Sequence, residues 1–199
     1  MLVFAHCDDI AIGIGGFTKL LDLSGGSLTS VILTSQGARQ KEEVTASKIL
    51  GIEKTVFLDF EDGNFNTCDI PTAASQIREQ VDLDSFDNIV SFDVSGYTGH
   101  PDHITASMVS SKLFRSMKNP GFLTLRSMSR IEKSLWEPYF IPIPDQESIA
   151  AENVDIRSVL KYKRASVIAH ASQFDIDGRN HLRRMVLMPA EERLRVIGK

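Results

Sequence analysis

Short apolar runs alternate with segments of helical periodicity along the first 119 residues of the chain. The runs have the length of buried strands, and they occupy positions 2–5, 28–33, 55–58 and 88–92. After each run comes a polar loop and then a stretch in which apolar residues recur every three or four positions. These stretches predict helices that begin near Ile10, Arg39, Asp69 and His103. Four such alternations predict an α/β fold with a mostly parallel sheet and helices on both faces.

The alternation of strands and helices changes after Asn119-Pro120-Gly121, a segment that predicts a turn. Beyond it the sequence predicts two strands and a helix, at positions 122–128, 139–143 and 156–172. The tail from Asp175 onward predicts one or two short helices, with Pro189 at a helix start.

No internal repeat, low-complexity segment or clear linker divides the chain. We therefore predict a single domain over residues 1–199. Its parallel α/β core spans 1–119, and a C-terminal extension of short strands and helices over 120–199 packs on the same core.

The composition excludes several classes of partner. The chain has 199 residues, 42% of them apolar, and a formal net charge of -4 without a basic stripe, so no nucleic-acid partner is predicted. No apolar run approaches the roughly 20 residues that span a bilayer. Too few residues precede His6 for a signal peptide, which predicts a cytoplasmic protein. The two cysteines, Cys7 and Cys68, are predicted to be reduced thiols.

Two polar clusters follow the first and the fourth predicted strands. His6, Asp8 and Asp9 come directly after the first strand, and the segment Gly-His-Pro-Asp-His at 99–103 follows the fourth. Because right-handed crossovers bring the carboxyl ends of parallel strands to one edge of a sheet, we expect the clusters to be neighbours. Open sheets of this type bind their ligands at that edge.

The residue types in these clusters are those of a metal site. His6 and Asp9 lie three positions apart on a predicted tight turn, and His103 supplies a second imidazole. Two imidazoles, one carboxylate and an open position are typical of a catalytic zinc site. Water bound to such a zinc ion has a pKa of about 7.

Three further residues could then assist the chemistry. Asp8, beside a metal ligand, could accept the proton of the attacking water. His100, at the start of a predicted helix, could donate a hydrogen bond to an oxyanion. Asp102 stands between the two histidines of its cluster and could fix the tautomer of one of them.

Simpler explanations exist for these residues. Asp8 and Asp9 could be a doubled helix N-cap. The glycines of GIGG at 13–16 suggest a dinucleotide loop, but they lack the G-x-G-x-x-G spacing and acids precede them. Cys7 could be a nucleophile, although two neighbouring carboxylates would raise the pKa of its thiol.

Five short motifs resemble, in order, those of one enzyme family. The segment AHCDD at 5–9, followed by GIGG at 13–16, is similar to the AHPDDE…GG motif of the PIG-L/LmbE family of zinc-dependent deacetylases. GHPDH at 99–103 matches the second motif of that family without a change. Further similarity appears in three segments: Gly37-x-Arg39 with Glu42, Glu43 and Leu50-Gly51; Leu58 to Asp62-Gly63; and Lys163 to His170-x-Ser172-Gln173.

The resemblance implies a Rossmann-like three-layer sandwich and a specific chemistry. Enzymes of this family remove an acyl group, usually acetyl, from an N-acylated amino sugar or a related amide, so the implied partner is a small N-acetylated sugar or glycoconjugate. It also implies one Zn²⁺ per chain, although another divalent metal is not excluded. By position, His6, Asp9 and His103 would be its ligands and Asp8 the general base. In the same scheme His100, with Asp102 behind it, would stabilise the tetrahedral intermediate.

Four residues leave alternatives open. Cys7 and Ile10 stand where the family has proline and glutamate, so the chain could instead be a catalytically altered relative that binds a metal or a ligand. Arg39 could bind a polar substrate or be a surface residue, and His170 could line the site or be an ordinary helix histidine. The substrate itself and the oligomeric state also stay open, and an oligomer is possible.

Overall fold

The computed structural model describes residues 1–35, 37–129, 132–133, 151–173 and 189–198. Within these residues the strands are β1 (Leu2–Phe4), β2 (Thr29–Ile32), β3 (Lys54–Phe57), β4 (Ile89–Phe92), β5 (Phe122–Arg126), β6 (Glu152–Asp155) and β7 (Glu191–Gly198). The α-helices of five residues or more are α1 (Gly15–Leu23), α2 (Ala38–Leu50), α3 (Ile70–Gln80), α4 (Pro101–Ser116) and α5 (Leu160–Ala169). Shorter helical turns occupy Ile10–Ile14, Phe65–Thr67, Leu83–Ser85, Gly96–Gly99, Arg157–Val159 and Ala171–Gln173.

The strands form one sheet with the order β3-β2-β1-β4-β5-β7-β6. The pairs from β3 to β5 are parallel, and β7 is antiparallel to both β5 and β6. The predicted mostly parallel α/β fold is therefore confirmed. The chain moves outward from β1 to β3 and then crosses to β4 on the other side of β1. This reversal creates a crevice at the carboxyl ends of β1 and β4, where such sheets bind ligands.

The core strands are buried because they are covered on both faces. Every residue of β1 and of β4 is buried, and the rings of Phe4 and Phe92 pack edge to face with their centroids 4.7 Å apart. Continuous apolar runs suit strands of this type, which is why the sequence located β1 to β4. Those two aromatic rings lie next to the polar clusters that follow their strands.

The C-terminal segment differs from the prediction. The tail was expected to be helical with a helix start at Pro189, but Glu191–Gly198 forms the long strand β7. The physical reason is tertiary: β7 lies between β5 and β6, and its backbone groups bond to both neighbours. β6 was not predicted. The strand expected at 139–143, and the tail at 175–188, lie outside the described residues.

The first helix also departs from the prediction. A single helix was expected from Ile10, but a wider π-helical turn at Ile10–Ile14 precedes α1. Asp9 does not cap α1, since its carboxylate accepts a 2.7 Å hydrogen bond from the backbone N–H of His6. At Gly16 a Cβ atom would lie 2.6 Å from the side chain of Ile156. Glycine there permits the close approach of α1 to the segment that leads into α5.

The N-terminus of α1 receives its cap from a distant strand. The carboxylate of Glu192, in β7, accepts hydrogen bonds from the backbone N–H of Gly16 at 2.9 Å and of Phe17 at 2.7 Å. The Lys163 ammonium pairs with the same carboxylate at 2.5 Å, and both side chains are buried. A carboxylate at this end of a helix is stabilised by the helix dipole. β7 therefore holds α1 and α5 together.

Within the described residues, no helix combines the length and the apolar character that crossing a bilayer requires.

Candidate active site

The two polar clusters meet at the crevice between β1 and β4. His6 lies two residues beyond β1, and His103 lies in the first turn of α4, after the loop that follows β4. The His103 ring stacks on the Phe92 ring, with the centroids 4.2 Å apart and the planes 10° from parallel. The apolar end of β4 thus fixes the plane of the imidazole.

His6, Asp9 and His103 converge on one another. The Nδ1 atom of His6 lies 3.0 Å from Nε2 of His103 and 3.5 Å from Oδ2 of Asp9. The Nε2 atom of His103 lies 3.2 Å from Oδ1 of Asp9. Each of the three residues is at most 7% exposed. The structure therefore brings together all three residues that were predicted as metal ligands.

The hydrogen bonds of the two rings favour a proton or a metal ion between their inner nitrogens. His103 Nδ1 faces the Gly96 carbonyl oxygen at 3.0 Å, and His6 Nε2 faces the carboxylates of Asp62 at 3.1 Å and Asp102 at 3.3 Å. Because these outer partners are acceptors, each outer nitrogen carries the proton of a neutral ring. The inner nitrogens then present lone pairs to each other. A proton or a metal ion between them removes this conflict, and such outer-nitrogen partners are typical of metal-ligating histidines.

The electrostatics favour positive charge at the same point. Burial disfavours a charged His6 ring, but Asp9, Asp102 and Asp62 outweigh it and hold the pKa of His6 well above its usual value. Burial would likewise raise the pKa of Asp9, but His103 and His6 hold that pKa far below its usual range. The carboxylates thus create a negative environment around two imidazoles, which suits a divalent cation.

Two other groups of donors could share such an ion. The ligand atoms of His6, His100 and His103 lie within 4.8 Å of one another, and so do those of His6, Asp62 and Asp102. His6 belongs to both groups.

The loop after β4 holds His103 in place. The Asp93 carboxylate accepts hydrogen bonds from the backbone N–H groups of Ser95 at 3.0 Å and Tyr97 at 3.4 Å. Gly96 has a φ of +69°, and a Cβ atom there would lie 2.8 Å from the backbone nitrogen of Ile104. Tyr97 adopts a φ of +62°, a conformation that costs energy for a residue with a side chain. This tight turn aims the Gly96 carbonyl at the outer nitrogen of His103.

His100 is arranged as a neutral hydrogen-bond donor. Its Nδ1 accepts a 3.2 Å hydrogen bond from the backbone N–H of Asp102 and caps α4. The proton of a neutral ring must then lie on Nε2. Burial, followed by the charges of His103 and His6, lowers the pKa of His100 and keeps the ring neutral. The ring lies edge to face against His6, with centroids 4.9 Å apart.

Asp8 lies on the open side of this cluster together with two charged neighbours. Nη2 of Arg39 lies 3.4 Å from Oδ1 of Asp8, and Nη1 of Arg39 donates a 2.6 Å hydrogen bond to Asp62. The Asp8 side chain is 19% exposed, which leaves it accessible to a substrate. Arg39 therefore lies at the rim of the site, as expected for a residue that could contact a polar ligand.

Asp102 occupies a different position from the one expected. Its carboxylate does not bond to His100 or His103. It lies 3.3 Å from His6 Nε2 and accepts hydrogen bonds from the backbone N–H of Gly63 at 2.8 Å and of Asn66 at 3.2 Å. The first turn of α4 points this side chain toward the loop after β3. Asp102 therefore joins that loop to His6.

His170 lies behind the site and not on its surface. It is 1% exposed, and its Nε2 lies 3.6 Å from the Glu43 carboxylate. Helix α5 packs against α2, so the end of α5 turns the ring inward. In this arrangement a substrate does not reach His170, in contrast to the expectation that it could line the site.

A family model described as PIG-L, GlcNAc-PI de-N-acetylase, matches residues 1–114. This segment includes β1 to β4 and both polar clusters. The chain belongs to the PIG-L family. The family predicted from the five motifs is confirmed.

The similarity to two curated relatives extends beyond residues 1–114. The probable N-acetylglucosaminyl-phosphatidylinositol de-N-acetylase of Schizosaccharomyces pombe is 27% identical over 192 residues, which cover 87% of this chain and 77% of the relative. The diacetylchitobiose deacetylase of Thermococcus kodakarensis is 28% identical over 193 residues, which cover 86% of this chain and 68% of the relative.

Several solved structures share the fold. The N,N'-diacetylchitobiose deacetylase of Pyrococcus horikoshii has a TM-score of 0.72 at 18% identity and covers 99% of this chain and 82% of its own. The zinc-inhibited form of a teicoplanin deacetylase has a TM-score of 0.74 at 14% identity. The match covers 100% of this chain and 98% of that deacetylase. A 4-carboxy-2-hydroxymuconate hydratase of Pseudomonas putida KT2440 has a TM-score of 0.62 at 17% identity. The match covers 100% of this chain and 95% of that hydratase. Because the fold also occurs in a hydratase, the site residues must carry the functional argument.

The two departures of this PIG-L family chain from the motif are both buried. Cys7 is fully buried, and burial, with a further contribution from Glu43, raises the pKa of its thiol to about 12. Thiolate is therefore scarce at neutral pH, which argues against a nucleophilic role. Ile10 is 1% exposed and packs in the apolar core.

Sequence reasoning placed two further residues of this PIG-L family site in the similar segments but gave them no role. Asp62 contacts His6 and Arg39, and Glu43 contacts His170. The signal for Asp62 was its place in the loop after β3, at the same edge of the sheet. Glu43 gave a weaker signal, since a glutamate in a polar helix is usually solvated.

Proposed function

We propose that this chain is a metal-dependent hydrolase that removes the N-acetyl group from a small amino sugar or glycoconjugate. One observation carries the proposal: His6, Asp9 and His103 converge beside Asp8 and His100. Membership of the PIG-L family and the names of both curated relatives support the same reaction class.

In this proposal His6, Asp9 and His103 hold one divalent cation, with Zn²⁺ as the expected metal. The donor set of two imidazoles and a carboxylate suits zinc and leaves an open position. When bound, the ion would act as a Lewis acid toward water and toward the substrate carbonyl.

The remaining residues would move the protons and stabilise charge. Asp8 would accept the proton of the attacking water and later return it to the leaving amine. His100, protonated at Nε2, would donate a hydrogen bond to the oxyanion of the tetrahedral intermediate. Arg39 would pair with Asp8 and contact a polar group of the substrate from the rim. Asp102 would fix the position of the His6 ring relative to the loop after β3.

Acetate release from metal-loaded protein tests the proposal. Suitable substrates are N-acetylglucosamine, N,N'-diacetylchitobiose and N-acetylglucosaminyl-phosphatidylinositol, the last two taken from the names of the curated relatives. Release from at least one of them, abolished by a chelator and restored by Zn²⁺, is expected. Silence across the panel with the metal fully loaded would favour the alternative, a relative that binds a metal or ligand without catalysis.

A further inference from the structure

Arg126, the last residue of β5, is fully buried but has no part in the proposed mechanism. A buried charge costs free energy unless it is paired and its donors are bonded. The Glu132 carboxylate, which is also buried, pairs with Nη2 of Arg126. Nη1 donates to the backbone carbonyl of Ser127 and, at 3.1 Å, to that of Arg193 in β7. The guanidinium therefore has a fixed position and plane at the end of β5.

The same guanidinium reaches the turn that follows Asp9. Nε of Arg126 donates a 2.5 Å hydrogen bond to the carbonyl oxygen of Gly13. Gly13 lies in the π-helical turn Ile10–Ile14, which begins directly after Asp9. A Cβ atom at Gly13 would lie 3.8 Å from Cγ of Arg126 and 4.0 Å from the Phe92 ring. Arg126 and Phe92 are therefore both neighbours of Gly13.

Arg126 also contacts Tyr97, in the loop after β4. Its Cζ lies 4.5 Å from the centroid of the Tyr97 ring, an arrangement typical of a cation–π contact. Nη2 donates a 3.4 Å hydrogen bond to the Tyr97 hydroxyl, which in turn donates to Glu132 at 3.2 Å. The φ of +62° at Tyr97 is a conformation that persists only where the surrounding structure holds it. Arg126 and Glu132 supply contacts that hold it.

Two routes lead from Tyr97 to the imidazole of His103. Along the backbone, the carbonyl oxygen of the preceding residue, Gly96, faces Nδ1 of His103 at 3.0 Å. Through the side chains, the Tyr97 ring lies 6.3 Å from the Phe92 ring with the planes 7° apart. The Phe92 ring in turn stacks on the His103 ring at 4.2 Å. Direct contacts therefore connect Arg126 to a proposed metal ligand.

We propose that Arg126 is a positioning residue that, through Tyr97, fixes the imidazole of His103 for the metal. Arg126 touches no reacting atom, and its effect on the metal and on turnover rests on the proposed function. Residues that orient a metal ligand from outside the ligand set change metal affinity by about 10- to 100-fold when they are replaced. Strand β5 thereby contributes to a site whose proposed ligands all precede it along the chain.

Zn²⁺ affinity, measured by competition with a chromogenic chelator, tests the proposal. Arg126→Lys keeps the charge that faces Glu132 but loses the planar group over Tyr97, so it should weaken binding by about 10- to 100-fold. Tyr97→Leu should weaken it by a similar factor, whereas Tyr97→Phe, which keeps the ring, should stay within about threefold. Leu123→Ala, at a buried position of the same strand, is the matched control, which should lower Tm and change the affinity less than about twofold.

A double-mutant cycle tests the route through Tyr97. In a Tyr97→Leu background, Arg126→Lys should weaken Zn²⁺ binding by less than about twofold more, because the two residues act in series. Equal losses from Arg126→Lys in both backgrounds, or losses no larger than that of Leu123→Ala, would overturn the proposal. If Arg126→Lys does not fold, the uncharged pair Arg126→Gln with Glu132→Gln takes its place, with the same expected losses.

The orientation of the His103 ring can also be followed without turnover. The ¹⁵N-bound proton on Nδ1 of His103 is assigned by its loss in His103→Gln, and it should exchange slowly in the parent, because it faces the Gly96 carbonyl. Exchange should stay slow in Leu123→Ala and become rapid in Arg126→Lys. The same exchange rate in the parent and in Arg126→Lys contradicts the proposal. If exchange changes as expected but the parent binds no Zn²⁺ and releases no acetate, the proposed function fails and the positioning role stands.

Discussion

His6 Nδ1 and His103 Nε2 lie 3.0 Å apart, although 97 residues separate them along the chain. The outer nitrogen of each ring faces acceptors, so a proton or a metal ion between the inner nitrogens accounts for this short distance. Asp9 lies within 3.5 Å of both. The proposed function takes these three residues as the metal ligands, and the same geometry indicates which neighbouring residues should not be ligands.

The first prediction tests whether Asp9 or His100 is the third metal ligand beside His6 and His103. Purified protein loaded with Zn²⁺ should retain about one equivalent per chain. Asp9→Ala and His103→Ala should lose it, and His100→Ala should keep it while losing turnover. Elemental analysis after gel filtration measures the bound metal. The opposite pattern, with loss in His100→Ala and retention in Asp9→Ala, would assign the three-histidine group.

The second prediction concerns proton transfer. Asp8→Asn should bind metal as the parent does and lower kcat by about 10²- to 10⁴-fold, because the amide cannot accept a proton. Acetate release under saturating substrate measures this. Asp84→Asn is a matched control, since Asp84 pairs with an exposed Lys118 on the surface. Full turnover in Asp8→Asn would remove Asp8 from the mechanism.

The third prediction concerns the support of His6. Asp102→Ala should weaken metal binding by about 10- to 100-fold, because its carboxylate orients a ligand and anchors the backbone of Gly63 and Asn66. Asp62→Ala should weaken it less, since the Asp62 side chain is 43% exposed. Competition with a chromogenic chelator measures both affinities. Equal effects would contradict the anchoring of the loop.

The fourth prediction concerns pH. The pKa of Glu43 is raised by burial above its ordinary value of 4.5, so the unfolded chain loses this proton at a lower pH than the folded chain. Stability from the neutral carboxyl is complete below that value and falls by up to about 1.4 kcal/mol per pH unit as the pH rises toward the folded pKa. Glu43→Gln has no such proton. The Tm of Glu43→Gln should therefore rise relative to that of the parent as the pH increases above 4.5 toward the raised pKa of the folded protein.

Thermal unfolding across that range checks the Glu43 prediction. Glu79→Gln, on the exposed side of α3, is the matched control for the loss of one carboxyl group. A difference in Tm between the parent and Glu43→Gln that does not vary with pH would show that Glu43 is ionised in the folded protein.

The fifth prediction distinguishes the two thiols. Cys7 is fully buried and has a pKa of about 12, whereas Cys68 is partly exposed. Because the thiolate is the reactive form, a disulfide reagent at about pH 8 should modify Cys68 alone in the native protein. Unfolding should release the second thiol, and Cys68→Ser should show no fast reaction. Modification of both at similar rates is the outcome that contradicts this.

The convergence of the proposed metal ligands could be predicted from the sequence because two local rules sufficed. Apolar runs located β1 and β4, and the handedness of crossovers placed His6 and His103 at one edge. The partners of Asp102 could not be anticipated in this way. They are backbone N–H groups of a loop 36 to 39 residues away, and nothing in the sequence near Asp102 indicates them.

The burial of His170 and the strand β7 also could not be predicted from local sequence patterns. His170 follows a helix whose apolar pattern does not say which neighbour it packs on, and α2 is that neighbour. The sequence EERLRVIG at 191–198 contains charged residues that weaken a strand prediction. Pairing with β5 and β6, and the pairing of Glu192 with Lys163, overcome that local preference.

The cap on α1 connects the candidate site to β7, the last strand along the chain among the described residues. Residues 1–114 contain every proposed ligand, yet Gly16 bonds to Glu192, 176 positions further along. Closing so long a loop costs conformational entropy, so the anchoring of α1 depends on the pairing of β7 with its neighbouring strands. Transient fraying of β7 would release the same cap. A breathing motion of β7 can therefore loosen the proposed metal ligands without any change near them.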